Sequence, residues 1–262
     1  LLDIDSALRL ISEFKDPTFA ILKHNNACGI ASSTDAQTSY SKAFDADPLS
    51  AFGGVLIYNS VIDENAAQKI NDLFFEIIIA PKYTEESLNL LKSKKNRIIL
   101  IQKKKIYKSH ISRDVLNGKL KQDVDNEIKD YKSWKLVTKK KLDQSRIEDL
   151  EFANRIVKHS KSNAIVLVKD KQMLSSGVGQ TSRVDALKFA IEKAKTFNFD
   201  LEGSVMASDA FFPFPDCIEI ASEAGIEGVL QPGGSIKDNL SIESCNKRGM
   251  SMYLTGTRHF YH

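Results

Sequence analysis

Cysteine is scarce in this chain: Cys28, Cys217 and Cys245 lie far apart and are odd in number. Neither a disulfide framework nor a Cys-x-x-Cys metal knuckle is expected from them, and they read as reduced thiols in a reducing compartment. Long apolar runs are absent as well; none approaches the roughly 20 residues that span a bilayer, so no membrane partner is expected. The opening Leu1-Leu2-Asp3-Ile4-Asp5 has neither a basic leader nor an initiator Met, which points to a cytoplasmic location rather than export. What remains is ordinary for a globular protein: 262 residues, 42% hydrophobic and 27% charged, enough for one large core or two medium ones.

Acidic residues are sparse in one region. From Lys92 to Lys141 there are 17 Lys and Arg against 5 Asp and Glu, a local +12 that leaves −9 for the rest of the chain. Such a stretch could hold a polyanion. Lysine greatly outnumbers arginine, however, and only Tyr107, Tyr131 and Trp134 supply rings, whereas stacking recognition of nucleic acid wants more of both. The segment is read as a solvated surface, and no nucleic-acid partner is expected.

Short β-rich runs alternate with amphipathic stretches, the pattern of a layered α/β fold. Helices are predicted over 5–14, 33–44, 64–74, 85–93, 146–161 and 183–197, with another ending at 221–224. Strands are predicted over 19–22, 55–58, 77–81, 97–102, 164–168 and 228–230, and 131–138 reads as an added strand. Three features recur at an offset of 150 to 158 residues: Gly29 and Gly179 before helices, Ser50-Ala51-Phe52 and Ser208-Asp209-Ala210-Phe211, and strands closing at Pro81 and Pro232. This echo predicts a duplicated α/β unit, assigned to residues 1–125 and 126–262 with the basic segment 103–141 as connection. A cleft between the units would be a favoured place for a ligand.

Several polar clusters stand at the ends of these elements. Lys23-His24-Asn25-Asn26-Ala27-Cys28-Gly29 follows the apolar run Phe19-Ala20-Ile21-Leu22, so a cation, an imidazole and two amides arrive at one strand end, where open α/β sheets bind ligands. The plain alternative is a strand running out into a solvated loop. Ser50-Ala51-Phe52-Gly53-Gly54 offers paired glycines that let backbone approach a flat ligand, or simply make a tight turn. Gly177-Val178-Gly179-Gln180-Thr181-Ser182-Arg183, with Lys161-Ser162-Asn163-Ala164 upstream, suits an anion at a helix N-terminus, or a turn with Ser182 as helix cap. The loop 208–216 sets Phe211, Phe212 and Phe214 with two prolines between Asp209 and Asp216, enough to sandwich a heteroaromatic ring, or to pack as core. Gln231-Pro232-Gly233-Gly234-Ser235-Ile236 and the terminal Arg258-His259-Phe260-Tyr261-His262 complete the set; the latter matters only if that end is tied down.

Taken together, Lys-His-Asn-Asn-Ala-Cys-Gly at 23–29, Asp-Pro-Leu-Ser-Ala-Phe-Gly-Gly at 47–54, Ile-Ile-Ala-Pro at 78–81, Lys-Ser-Asn-Ala at 161–164, Ser-Asp-Ala-Phe-Phe-Pro-Phe at 208–214 and Thr-Gly-Thr-Arg-His-Phe at 255–260 closely resemble the aminoimidazole carboxamide ribonucleotide (AICAR) transformylase family, over essentially the whole chain. The resemblance implies a duplicated cytidine-deaminase-like three-layer α/β/α fold and a homodimer with active sites at the subunit interface. It also implies transfer of a formyl group from 10-formyltetrahydrofolate to the 5-amino group of AICAR, giving FAICAR in purine biosynthesis. Carried over by position, His24 is the general base and Lys23 its cationic partner. Gly53, Glu76, Asn163, Arg183, Phe211, Arg258 and His262 fall on nucleotide-contacting positions, and Val184, Asp216, Ser235 and Ile236 fall near the folate.

The chemistry suits those residue types. The acceptor amine is conjugated into an electron-poor imidazole, so its attack needs proton removal in step, a task for the His24 imidazole. Lys23 and Asn163 are the candidates to stabilise the tetrahedral oxyanion, and Arg258 with Arg183 to hold the phosphate. A zinc deaminase, which shares the implied fold, needs His/Cys-x-Glu and Pro-Cys-x-x-Cys spacing that this sequence lacks; no metal is expected. Family members carry an upstream cyclohydrolase domain and an Arg-Tyr-Gly segment that helps hold the phosphate, and this chain begins after both. A nucleotide- or folate-binding fragment with impaired catalysis is therefore the competing reading.

Overall fold

The structure, a computed structural model, describes residues 1–103 and 109–262; residues 104–108, Tyr107 of the basic stretch among them, lie outside the described residues. In chain order, α1 (Leu2–Ile11) precedes a hairpin of β1 (Thr18–Lys23) and β2 (Asn26–Ser32), followed by α2 (Ala36–Asp45) and the single turn α3 (Pro48–Ala51). Next come β3 (Gly54–Tyr58), β4 (Val61–Ile62), α4 (Glu64–Asn71), β5 (Phe75–Ala80), β6 (Lys82–Tyr83), α5 (Glu85–Lys92) and β7 (Ile98–Ile101). The connector holds the exposed hairpin β8 (His110–Val115) and β9 (Gly118–Asp123), a 3-10 turn at Tyr131–Ser133, and β10 (Lys135–Leu136). Then α6 (Gln144–Lys158) leads into a second hairpin, β11 (Ile165–Lys169) and β12 (Gln172–Gly177), and α7 (Arg183–Thr196). The chain closes with β13 (Val205–Ser208), α8 (Asp216–Glu223), β14 (Gly228–Gln231), α9 (Asp238–Arg248) and β15 (Ser251–Leu254).

Eleven strands form one mixed sheet in the order β10-β15-β14-β13-β11-β12-β2-β1-β3-β5-β7. Reading outward from the middle, each half repeats one plan. A hairpin (β2-β1 or β12-β11) lies antiparallel to the next strand (β3 or β13), which opens a parallel run (β5 and β7, or β14 and β15). The halves join through β2 and β12, antiparallel, with Gln172 opposite Ala31 and the Ser32 N–H donating to Lys171 O at 2.9 Å. They therefore meet strand to strand in one continuous sheet, not across a cleft between separate bodies.

Side-chain alternation along the strands sorts the core into layers. Ala20, Leu22, Val166 and Val168 point to one face, where they pack with Leu10 and Ile11 of α1 and Leu150, Ala153 and Val157 of α6. Phe19 and Ile21 point to the other face, against Tyr40 and Ala43 of α2 and Ile70 of α4. Ile165 and Leu167 do the same against Leu187 and Ala190 of α7 and Ile218 of α8. The result is the duplicated α/β/α three-layer architecture expected from the sequence. Side-chain caps fix where most helices begin: Asp35, Asp63, Thr84, Asp143 and Ser182 each accept a backbone N–H of the first turn.

Several elements depart from the sequence reading. α1 runs over Leu2–Ile11 rather than 5–14; Phe14 is buried, so the apolar rhythm continues past the point where the helix ends. β2 and β12 occupy segments read as loops, and the added strand expected at 131–138 is a 3-10 turn plus the two residues of β10. Of the three echoes, the strands closing at Pro81 and Pro232 are true counterparts, each the second of its parallel run. Gly29 instead lies inside β2, where a Cβ would stand 1.8 Å from the Ala43 carbonyl oxygen of α2. Gly177, rather than Gly179, makes the matching approach, at 1.9 Å from the Ala186 oxygen of α7.

Candidate active site

Strand directions bring the candidate residues to one edge of the sheet. β1, β12, β13, β14 and β15 all run toward this edge, while β3, β5 and β11 start from it. Lys23 and His24 end β1, Gly53 precedes β3, and Glu76 is the second residue of β5. Asn163 precedes β11, and Arg183 and Val184 follow β12. Phe211 and Asp216 follow β13, Ser235 and Ile236 follow β14, and Arg258 and His262 follow β15. Every candidate taken from the sequence thus lies on segments entering or leaving the same edge.

His24 and Asn25 form the two-residue turn between β1 and β2, with φ of 52 and 64. The Asn25 N–H donates to the Asp3 carboxylate of α1 at 2.6 Å, and Asn26 Nδ2 donates to the His24 carbonyl at 3.0 Å, so the turn is rigid while the His24 side chain stays exposed. Lys23 Nζ donates to the Phe52 carbonyl at 2.6 Å. That contact ties the hairpin to Gly53, whose φ of +71 and N–H bond to Phe74 O at 2.8 Å set the loop before β3. Phe52 and Phe74, 59% and 51% exposed with ring centres 5.0 Å apart, form an apolar shelf beside it. Glu76 is exposed next to this shelf.

The second half contributes a hub at Asp209, a fully buried carboxylate just beyond β13. Its Oδ1 accepts from the Ala164 N–H at 3.1 Å and from Arg183 Nη2 at 2.9 Å. Arg183 Nη1 donates to the Phe211 carbonyl at 3.2 Å, so this arginine, only 10% exposed, braces the aromatic loop from within. Asn163 Nδ2 spends one N–H on Gln180 O at 2.9 Å and retains a second. Val184 is half-buried on α7 and Asp216 opens α8, its carboxylate accepting from the Cys217 N–H at 2.8 Å. The Ser235 hydroxyl accepts from the Lys237 N–H at 3.1 Å, Lys237 Nζ lies 4.3 Å from the Phe214 ring centre, and Ile236 is fully exposed. Arg258 and His262 are exposed on either side of Phe260.

The two halves touch at this edge. The Lys161 N–H lies 3.5 Å from Asn26 Oδ1, and Tyr261 of the tail takes a hydrogen bond from Arg9 of α1 at 3.2 Å. A cavity of about 10 Å³, room for one water, lies where Asn25, Arg9 and Tyr261 converge. A larger cavity of about 350 Å³ lies by Asp16, Glu148 and Lys171, at the opposite edge, and none of the candidates lines it. All three cysteines are buried, and burial pushes each thiol up to about 12, which keeps it protonated near neutral pH. Asp209 and Tyr261 belong to clusters that the sequence singles out, though without a role of their own, and nothing in the sequence points to Asp125. An acid directly after a buried strand, as Asp209 follows Val205–Ser208, was the available signal for the first.

An imidazole, amides, an exposed arginine and aromatic rings thus lie on one edge of a duplicated α/β sheet, the end of such sheets where ligands commonly bind. The chain belongs to the AICARFT/IMPCHase bienzyme family, whose model matches residues 1–193. It is 59% identical over 262 residues to the bifunctional purine biosynthesis protein PurH of Bacteroides thetaiotaomicron, covering 100% of this chain and 52% of that protein. The PurH proteins of Acetivibrio thermocellus and Aquifex aeolicus are 47% and 46% identical, over 99% and 100% of this chain and 51% of theirs. The chain therefore spans about half the length of the curated relatives it matches. The dCMP deaminase of cyanophage S-TIM5 aligns with 41% of this chain and 94% of its own at 17% identity and a TM-score of 0.31, too slight a likeness to carry an argument.

Proposed function

We propose that this chain carries out the formyl-transfer step of purine biosynthesis, moving the formyl group of 10-formyltetrahydrofolate to the 5-amino group of AICAR. The reading is carried by one observation: the exposed His24 imidazole, the free N–H of Asn163 and the tail arginine Arg258 share one sheet edge with an aromatic loop. The amine nitrogen attacks the formyl carbon while His24 takes its proton. The oxyanion so formed meets the Lys23 ammonium and the Asn163 amide, which need no reorganisation as charge develops. Collapse breaks the bond from carbon to N10 of the folate, which leaves with a proton as tetrahydrofolate, and FAICAR is the other product. The Arg258 guanidinium, whose described contact is the Phe260 ring, takes the phosphate.

Two copies are part of the reading. His24 and the folate candidates Ser235 and Ile236 stand five strand steps apart on the sheet, roughly 24 Å at about 4.8 Å a step. Donor and acceptor must approach to about 3–3.5 Å. A homodimer that sets one copy's hairpin turn against its partner's loops resolves that distance. The test is His24→Ala: formation of tetrahydrofolate from AICAR and 10-formyltetrahydrofolate is expected to fall by about 10²–10⁴ with the melting temperature unchanged, because the side chain is exposed. A rate within threefold of the parent overturns the assignment.

A further inference from the structure

The tail is the part of this edge whose order is least expected. Beyond Leu254 it has no regular secondary structure, and a chain end with arginine, phenylalanine and histidine ordinarily frays. Here its side chains alternate. Arg258, Phe260 and His262 face outward in a row, the guanidinium 5.4 Å from the Phe260 ring centre and the His262 ring 5.9 Å from it. His259 and Tyr261 face inward, His259 only 3% exposed.

The inward pair holds the segment at two points. The His259 N–H donates to the Asp209 carbonyl at 3.0 Å, and its Nδ1 lies 2.6 Å from Asp125 Oδ2. Tyr261 makes two hydrogen bonds with Ser162, whose N–H donates to Tyr261 O at 2.9 Å while its hydroxyl accepts from the Tyr261 N–H at 3.2 Å. Asp125 belongs to the connector just past β9, so a segment outside both repeated units supplies the carboxylate. Burial acts to raise the Asp125 pKa, but the hydrogen bond and charge of His259, and the nearby Lys158, outweigh it and hold the carboxyl below the usual aspartate range. The anion that His259 needs as acceptor is therefore present at neutral pH.

We propose that Asp125 and His259 are positioning residues: their hydrogen bond locks the tail in the register that turns Arg258 and His262 toward the phosphate-bearing substrate. What the tail presents rests on the formyl-transfer reading; how it is held does not. The whole chain is compared with Asp125→Ala, His259→Ala, the double variant and Asp125→Asn, which keeps an acceptor for the ring N–H. Each alanine variant is expected to raise hydrogen exchange of the 256–262 amides at least tenfold while β11 and α6 stay protected. KM for AICAR should rise about tenfold with kcat within threefold, since an unheld tail loses substrate grip and not the chemistry at His24. The double variant should match the singles, and Asp125→Asn should restore most of the tail protection and KM. Unchanged tail exchange, additive losses in the double variant, or a fall in kcat at constant KM overturns the proposal. Should the parent show no formyl transfer, the exchange arm decides this inference alone, and the reaction assignment is what fails.

Discussion

His24-Asn25 joins β1 to β2 and Asp170-Lys171 joins β11 to β12, and in each pair both residues lie in the left-handed region, φ 52 and 64 against 53 and 53. Each turn is anchored by a carboxylate from the helix that precedes its hairpin. Asp3 of α1 accepts from the Asn25 N–H; Asp149 of α6 accepts from the N–H groups of both Asp170 and Lys171, at 3.0 and 2.7 Å. The side chains then part company. Lys171 pairs with Asp16 at 3.2 Å and Glu148 at 3.1 Å, and Asp170 with Arg146 at 3.0 Å, whereas His24 is left exposed. Because the halves join antiparallel, the two turns sit at opposite edges of the sheet. Duplication supplied one backbone device twice: at one turn its side chains are neutralised by ion pairs, and at the other the imidazole stays open to solvent, as the proposed reaction requires.

The largest effect expected from breaking this parallel is on stability at the paired turn. Asp149, 2% exposed, also binds Arg146, which keeps Asp170 and Glu227 as partners; Asp149→Ala takes the acceptor from two partly buried N–H groups and one carboxylate from that arginine, and is expected to cost about 3–5 kcal/mol in denaturant unfolding. Asp3→Ala removes one acceptor from a partly exposed N–H and is expected to cost about 1 kcal/mol. Equal costs at the two turns would show that both are structural and that the openness of His24 carries no meaning.

The hairpins also explain what the sequence could and could not show. The run Ile77-Ile78-Ile79-Ala80-Pro81 announced β5 because it is β-branched, apolar and stopped by proline. β2 and β12 give little strand signal because they hold Asn-Ala-Cys-Gly and Ser-Ser-Gly, small or polar residues with little strand preference. Close packing asks for that composition, since Gly29 and Gly177 lie under the carbonyls of α2 and α7. Residue types at the edge were legible as chemistry. Their placement along one edge was not, because it depends on the antiparallel join of the halves, which no local pattern encodes. Arg183 shows the limit best: its pairing with Asp209, 26 residues away, has no signature in the local sequence.

Those glycines give the next test. Gly29→Ala and Gly177→Ala each drive a Cβ to within 2 Å of a helix carbonyl, and since backbone cannot yield as a flexible side chain can, each is expected to cost about 3 kcal/mol. Gly118→Ala in the exposed β8-β9 turn meets nothing within 4 Å and should change stability by less than about 0.5 kcal/mol. A cost at Gly29 without one at Gly177 would mean that the helices following the two hairpins are held differently, and that the repeat is looser than the strand order implies.

The smallest expected difference lies in the caps of those same helices. Asp35 accepts from the Thr38 N–H to start α2, and Ser182 accepts from the Asp185 N–H to start α7. Either residue replaced by alanine should cost about 1 kcal/mol near neutral pH. Only one of the two titrates. The Thr38 hydrogen bonds hold the Asp35 carboxyl below the usual aspartate value, so its stabilisation is present above the unfolded value of about 3.9 and is lost as the pH falls through the lower folded one. Unfolding curves of Asp35→Ala and the parent should therefore converge in acid, while those of Ser182→Ala stay offset. An Asp35→Ala offset that persists at low pH would mean that the neutral acid caps α2 as well as the anion does, and that the two helix starts differ in residue but not in physics.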